Sequence, residues 1–162
     1  MAIGVTVAAV VAAVTGLLSS QLTYNTTPSM PRGLYRLLPR RAPSRGAIVA
    51  FPVPATLAPL VAARRYLPAA FHLLKRLVAV PGDHVCLSAD RYKVNGRDVS
   101  VVGRRDALGR RLPPAFPFCG EVPPGVGFVA TAAPSSLDSR YFGPIPLSQL
   151  TAAEPLWITS QR

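Results

Sequence analysis

Apolar positions in this 162-residue chain form one long run at the start and many short runs after it. The long run, Ala2 to Leu18, carries no charge and little polarity beyond Thr6 and Thr15, and the first charged side chain is Arg32. A helix of about 17 residues spans roughly 25 Å at 1.5 Å per residue, the short end of what crosses a bilayer. The pattern predicts a membrane anchor over residues 1–20, ahead of a single domain over residues 21–162. A cleaved signal peptide is a second reading, weakened because no charged segment precedes the run. A buried core helix is a third.

After residue 20 the apolar runs are short and punctuated by turn residues. Gln21 to Pro31 is polar and turn-rich, and prolines on both sides of Ser29-Met30 hold that stretch extended. Strands are predicted at Gly33–Leu38, Ala47–Phe51, Phe71–Val80, His84–Leu87, Arg91–Val94, Arg97–Val102, Gly127–Ala132 and Leu156–Ile158. Pro81-Gly82-Asp83 and Ser88-Ala89-Asp90 are turns, and Asn95-Gly96 is a strong two-residue hairpin signal. Thr56–Arg65, rich in Ala and Leu, predicts a short helix. Gly103 to Phe118, basic and proline-containing, predicts an exposed loop. Leu137 to Pro144 is compact and polar.

Composition supports this picture. Hydrophobic residues make up 49% of the chain, enough for a core, and 18 prolines argue against a helical bundle. The expected fold is mainly β: an antiparallel sheet domain behind one N-terminal transmembrane helix. The net charge of +11 raises nucleic acid or anionic lipid as partners. The arginines lie in scattered pairs with neither aromatic interleaving nor zinc-finger spacing, so no nucleic-acid partner is expected. A solvated basic face, or one lying near phospholipid head groups, fits better. The arginines from Arg32 to Arg45 follow the apolar run closely. The positive-inside rule would then hold the domain in the cytoplasm, in conflict with the location reached below. Cys86 and Cys119 lack the spacing of a zinc site. They are compatible with one disulfide or with two free thiols.

Charge becomes informative at one position. Of the 18 basic residues, only Lys75 and Lys93 are lysines. Lysine differs from arginine in that burial can strip its proton. Lys75 sits in an apolar strand pattern, with Leu73 and Leu77 expected on its own face. To be neutral near pH 7 it must titrate about three units below roughly 10.4, a cost of about 4 kcal/mol for the ammonium form, which desolvation can supply. A serine hydroxyl becomes a nucleophile only when a neighbouring base takes its proton. Ser29, held between prolines, is the candidate; taken alone, its more frequent role would be that of a turn residue. A Ser-His-Asp set from His72 or His84 with Asp83 or Asp138 has no supporting spacing.

Three ordered stretches carry a resemblance: Ser29-Met30-Pro31-Arg32-Gly33-Leu34-Tyr35, Lys75-Arg76-Leu77-Val78-Ala79-Val80-Pro81-Gly82-Asp83 and Ser136-Leu137-Asp138-Ser139-Arg140-Tyr141-Phe142-Gly143. Together they resemble type I signal peptidases. The compact first stretch is most similar to the conjugative-transfer signal peptidases of the TraF type. Gly46 to Phe51 is similar to the strand that follows the nucleophile in that family. The likeness spans roughly residues 25 to 150. Two departures from housekeeping signal peptidases also point to the conjugative type. The extra residue before the first-stretch proline is missing, and Ala132-Ala133-Pro134-Ser135 replaces a Gly/Asp/Asn-rich stretch.

The resemblance implies a serine endopeptidase with no metal and no other cofactor. Ser29 would be the nucleophile and Lys75 the general base, with Asp138 also important for catalysis. The Ser29 N–H and the Thr27 hydroxyl would form the oxyanion hole, Ser136 would orient Lys75, and Arg140 would pair with Asp138 as a structural partner. Since a carboxylate near Lys75 raises its pKa, Asp138 is read mainly as an organiser. The implied partners are a pilin-like precursor and membrane lipids contacting the N-terminal helix. The implied place is the bacterial inner membrane, with the domain on its periplasmic face. Cleavage in some members is coupled to pilin cyclisation. Other readings are a general type I signal peptidase, a self-cleaving LexA-like regulator, for which no DNA-binding helix pair is apparent, and a non-catalytic membrane-anchored assembly factor of the transfer apparatus.

Overall fold

In the computed structural model, described over residues 21–67 and 72–159, eleven strands form two antiparallel sheets. The strands are β1 Leu22–Asn25, β2 Gly33–Leu38, β3 Ile48–Phe51, β4 Leu73–Ala79, β5 His84–Leu87, β6 Arg91–Val94, β7 Arg97–Val101, β8 Phe118–Glu121, β9 Val126–Ala130, β10 Ile145–Pro146 and β11 Thr151–Ile158. The larger sheet has the order β1-β2-β11-β3-β4-β9-β10, and the smaller has the order β7-β6-β5-β8. Two short helices, α1 Ala58–Ala63 and α2 Ser139–Phe142, and one 3₁₀ turn, Leu147–Gln149, complete it. The mainly β expectation holds. The predicted anchor over residues 1–20 lies outside the described residues. Among the described residues no helix is long and apolar enough to cross a membrane.

Alternation explains most strands. In β2 the buried residues Gly33, Tyr35 and Leu37 share one face, as a period of two requires. β4 lies between β3 and β9, so most of it is buried. The β5–β6–β7 meander turns at Asn95-Gly96, where both residues have positive φ, as the hairpin signal demands. Helix α1 is short because the chain supplies no side-chain N-cap; Pro59 enters its first turn instead, where a missing N–H costs nothing.

Three expectations are corrected. Leu22–Asn25 is a strand and not part of a turn-rich stretch. Its pattern is inverted, with Thr23 and Asn25 buried and Leu22 and Tyr24 exposed, so hydrophobic alternation could not reveal it. The final strand begins at Thr151, five residues before the predicted start, and runs through Pro155. Thr151 pairs with β3, Ala152 and Ala153 pair with both β2 and β3, and beyond Ala153 only β2 remains as partner. Pro155 therefore falls where the strand has become an edge and bulges, the setting that tolerates a missing donor. Phe118–Glu121 is a strand at the end of the predicted loop, paired to β5. Loop 103–117 itself contains an Arg105–Arg111 bridge, with Asp106 binding the Arg110 backbone and side chain. Smaller differences are trimmed ends: α1 is shorter than the predicted helix, and β3 and β4 each lose one or two residues at their ends.

Gly33 has a positional reason. Its φ is +147°, and a Cβ there would lie 2.1 Å from the Trp157 carbonyl oxygen. The backbone of β11 can approach β2 this closely only at a glycine. The chain just after Ser29 is thereby locked to the C-terminal strand.

Cys86 and Cys119 face each other across β5 and β8, and they form a disulfide with Cα atoms 4.0 Å apart. It closes a loop of sequence separation 33. By chain entropy such a crosslink contributes about 3 to 4 kcal/mol. Reduction, or Cys86→Ser with Cys119→Ser, is expected to lower the urea midpoint accordingly. An unchanged midpoint would mean that the crosslink does not constrain the unfolded chain.

Candidate active site

Three segments converge. The loop between β1 and β2 carries Thr27 and Ser29, the middle of β4 carries Lys75, the turn leading into α2 carries Ser136 and Asp138, and α2 itself carries Arg140. Pro28 and Pro31 remove two backbone donors and hold the first loop out of helix. Its shape comes instead from Asn25 at the end of β1. The Asn25 Nδ2 donates to the carbonyls of Thr27 (2.9 Å), Met30 (2.8 Å) and Pro31 (3.1 Å). The Tyr35 hydroxyl adds a 2.7 Å bond to the Pro31 carbonyl. Met30 is buried in a cluster with Tyr35, Leu37, Ala50, Leu74 and Ala153. The side chain beside the serine thus anchors the loop in the core.

Lys75 is 3% exposed. Leu73 and Leu77, which alternation places on its own face of β4, belong to a core cluster with Val49, Phe51 and Val129. The Lys75 Nζ lies 2.8 Å from Ser29 Oγ. Desolvation brings the lysine down from 10.5 to about 8, against a rise caused by Asp138 and with a smaller lowering by Arg140. The shift is in the direction a base needs. At pH 7 roughly a tenth of the lysine is neutral.

Asp138 and Arg140 are both fully buried. The Arg140 Nε donates to Asp138 Oδ1 at 2.7 Å and Nη2 to Oδ2 at 2.6 Å, a two-point fork that lysine could not reproduce. Asp138 also caps α2 by accepting the Arg140 N–H, and it accepts the Thr131 N–H. The remaining guanidinium hydrogens reach the carbonyls of Ala133, Pro134 and Val101 and the Ser100 hydroxyl. One arginine therefore ties the turn behind Lys75 to β7 of the smaller sheet. A buried charge is tolerated only when paired and hydrogen-bonded in this way.

Two expected contacts take a different form. Ser136 Oγ is buried without a hydrogen-bond partner, so it makes no bond to Lys75 here. The Thr27 hydroxyl donates to Asn25 Oδ1 at 3.0 Å and lies 3.0 Å from Ser29 Oγ. Thr27 is thus beside the nucleophile, but its only hydroxyl hydrogen is already engaged. In sequence Asn25 is only one residue of the polar, turn-rich stretch Gln21 to Pro31; nothing in the order Asn25-Thr26-Thr27-Pro28 separates a clamp from a turn. The hydroxyls of Tyr92 and Thr131 are likewise buried without partners. Tyr92, on β6, titrates well above its usual value through burial, with the Asp138 charge adding to the rise. Among the described residues no group of three or more His, Cys, Asp or Glu could hold a metal ion.

A serine hydroxyl against a buried, deprotonatable amine is an arrangement suited to a hydrolase that activates serine with lysine in place of histidine. The chain belongs to the signal peptidase family, peptidase S26, whose family model matches residues 1–158. It is 41% identical over 137 residues to the conjugal transfer protein TraF of Agrobacterium fabrum (strain C58), covering 78% of this chain and 76% of that one. It is 35% identical over 144 residues to the conjugal transfer protein TraF of Agrobacterium tumefaciens (strain 15955), covering 82% and 80%. A probable conjugal transfer protein TraF of Sinorhizobium fredii (strain NGR234) is 36% identical over 133 residues, covering 75% and 69%. A solved signal peptidase I from Enterococcus faecalis V583 aligns with a TM-score of 0.41 and 24% identity, over 69% of this chain and 96% of that one.

Proposed function

We propose that this protein is a Ser/Lys endopeptidase that processes a pilin-like or other exported precursor in conjugative transfer. It works at the outer face of the cytoplasmic membrane and is held there by its N-terminal segment. The observation that carries this reading is the 2.8 Å contact between Ser29 Oγ and the buried Lys75 Nζ. The family supplies the class of reaction, and the names of the three relatives supply the setting.

The chemistry follows from the two groups. Neutral Lys75 takes the Ser29 hydrogen as Oγ bonds to the scissile carbonyl carbon. The resulting ammonium gives that proton to the departing amide nitrogen, and an acyl-enzyme ester on Ser29 remains. A water, giving its proton to Lys75, then attacks the ester; Lys75 returns that proton to Ser29 Oγ as the ester bond breaks, and the shortened chain leaves with a new carboxyl group. An amine of the same polypeptide in place of water would close a ring instead. The Asp138–Arg140 pair fixes the turn behind Lys75 and sets the field in which the lysine titrates.

The test is cleavage of the cognate propilin by the full chain in lipid vesicles. Ser29→Ala is expected to abolish processing while leaving the thermal unfolding profile unchanged. The pH profile is a second readout. Because the base must be neutral and titrates at about 8, kcat/KM is expected to rise about tenfold per pH unit below 8 and to level above it. Processing that survives Ser29→Ala would leave the membrane-anchored assembly factor as the better reading. Cleavage of general secretory precursors as efficiently as of propilin would make the protein a general type I signal peptidase.

A further inference from the structure

We propose that Asn25 is a positioning residue that fixes the direction of the hydrogen-bond chain running from Lys75 through Ser29 to Thr27. The inference rests on Ser29 and Lys75 being nucleophile and base. It adds a third group, one that touches neither substrate nor the reacting atoms.

The assignment comes from counting donors. Asn25 is 5% exposed. Its Nδ2 faces three carbonyl oxygens, at 2.9 Å (Thr27), 2.8 Å (Met30) and 3.1 Å (Pro31), so that end must be the amide nitrogen. The other end, Oδ1, accepts the Thr27 N–H at 3.2 Å and the Thr27 hydroxyl at 3.0 Å. A threonine hydroxyl has one hydrogen, and here it is spent on Asn25. Toward Ser29, 3.0 Å away, Thr27 Oγ1 can offer only lone pairs. The Ser29 hydrogen therefore points to Thr27, and the Ser29 lone pairs point to Lys75 Nζ at 2.8 Å. All donors then run one way, from Lys75 to Ser29 to Thr27 to Asn25.

This order suits the ammonium form of Lys75, which has donors and no acceptor. When Lys75 loses its proton, a single hydrogen, that of Ser29, must swing from Thr27 to the amine lone pair. The Ser29 and Thr27 oxygens then face each other without a hydrogen between them. Asn25 thus biases the dyad toward its protonated resting state and leaves one rotor as the arming step. Without the Asn25 acceptor, Thr27 can turn and donate to Ser29, which favours the neutral amine. The charged groups that act on Lys75 are Asp138, the N-cap of α2, and Arg140, within α2. They are unchanged by substitution at Asn25.

Lys75 and Lys93 are the only lysines, so the full chain labelled with ¹³C at lysine Cε gives two titrating NMR signals. Exposed Lys93 serves as internal reference. Asn25→Ala and Thr27→Val are each expected to lower the Lys75 midpoint by roughly half a pH unit or more, the scale of one hydrogen bond. The double variant should move it no further, because both changes cut the same link. A merely structural role gives the opposite sign: a loosened loop admits water and moves Lys75 up toward 10.5. A midpoint that rises or stays, or effects that add, would overturn the proposal. If Asn25→Ala does not fold, Thr27→Val, which keeps the backbone and volume, carries the same expectation alone. In the cleavage assay the acid limb of kcat/KM for Asn25→Ala should move to lower pH by the same amount as the Lys75 midpoint; an acid limb that stays or moves up would count against the role. Because the titration needs no substrate, a wild-type protein that cuts nothing would sink the functional reading and leave this one to be decided by NMR.

Discussion

Lys75→Arg is expected to abolish precursor cleavage, with a loss of roughly 10⁴-fold or more, the scale seen when a member of a nucleophile–base pair is removed. Arginine keeps its proton in any protein environment, so it can hold a charge beside Ser29 but cannot accept the Ser29 hydrogen. Measuring kcat/KM across the pH range separates base chemistry from charge. A Lys75→Arg enzyme with wild-type activity would end the general-base role. Lys75→Met serves as the folding control. A lysine lowered from 10.5 to about 8 by burial costs the folded state about 3 kcal/mol while it stays protonated. The unfolded chain binds the extra proton between those values, so wild-type stability should rise from about pH 8 to about pH 10.5. Lys75→Met has no such proton. It is expected to be at least as stable as the wild type at pH 7 and to lack the rise. Urea unfolding at pH 7 and pH 10 checks both statements.

The second large effect is at the buried pair. Asp138→Asn leaves the Arg140 guanidinium fully buried without its counter-charge. Removing one member of such a pair typically costs about 3 to 5 kcal/mol, a large share of a domain's total stability. The same change should also act on Lys75. Asp138 raises the lysine's pKa, so its neutralisation should move the acid limb of kcat/KM below pH 8. Activity per folded molecule at pH 7 would then rise or hold even as the unfolding midpoint falls. A fall in both, with the acid limb unmoved, would show that Asp138 takes a direct part in proton transfer. Arg140→Lys is a companion: it keeps a charge but loses the two-point fork to Asp138 and most of the carbonyl contacts. It should destabilise on a similar scale.

How much of this was legible depended on whether local pattern and tertiary role agreed. Most of the meander from His84 to Val101 was legible because alternation in β5 and β6 agrees with the Asn95-Gly96 turn; the register shift between β6 and β7 at Tyr92 and Lys93 was not. β4 was legible because its apolar run lies between two other strands. β1 was not, since its buried positions are Thr23 and Asn25 and its exposed ones are Leu22 and Tyr24. The early part of β11 was not, since Ala152-Ala153-Glu154-Pro155 has little strand propensity; pairing with β2 and β3 overrides that preference. β8, Phe118-Cys119-Gly120-Glu121, begins at the end of the basic, proline-containing stretch and has no alternating pattern; its strand character comes from pairing with β5, including the Cys86–Cys119 crosslink.

The same division applies to the site. Sequence by itself singled out Ser29 and Lys75, because chemistry restricts a nucleophile–base pair to few residue types and the three motifs occur in order. The resemblance carried by the third stretch also implied that Asp138 pairs with Arg140; that Asp138 caps α2 while doing so came only from the structure. Tertiary structure alone decided which hydrogens are free. Asn25 engages the Thr27 hydroxyl, Ser136 Oγ is left without a partner, and Arg140 reaches across to Ser100 and Val101. It also decided how far the lysine is shifted, because desolvation depends on everything packed around Lys75 and no motif encodes that. A one-dimensional pattern can name the groups that react. The direction of each hydrogen bond, and the field each charge feels, arise only when distant segments meet.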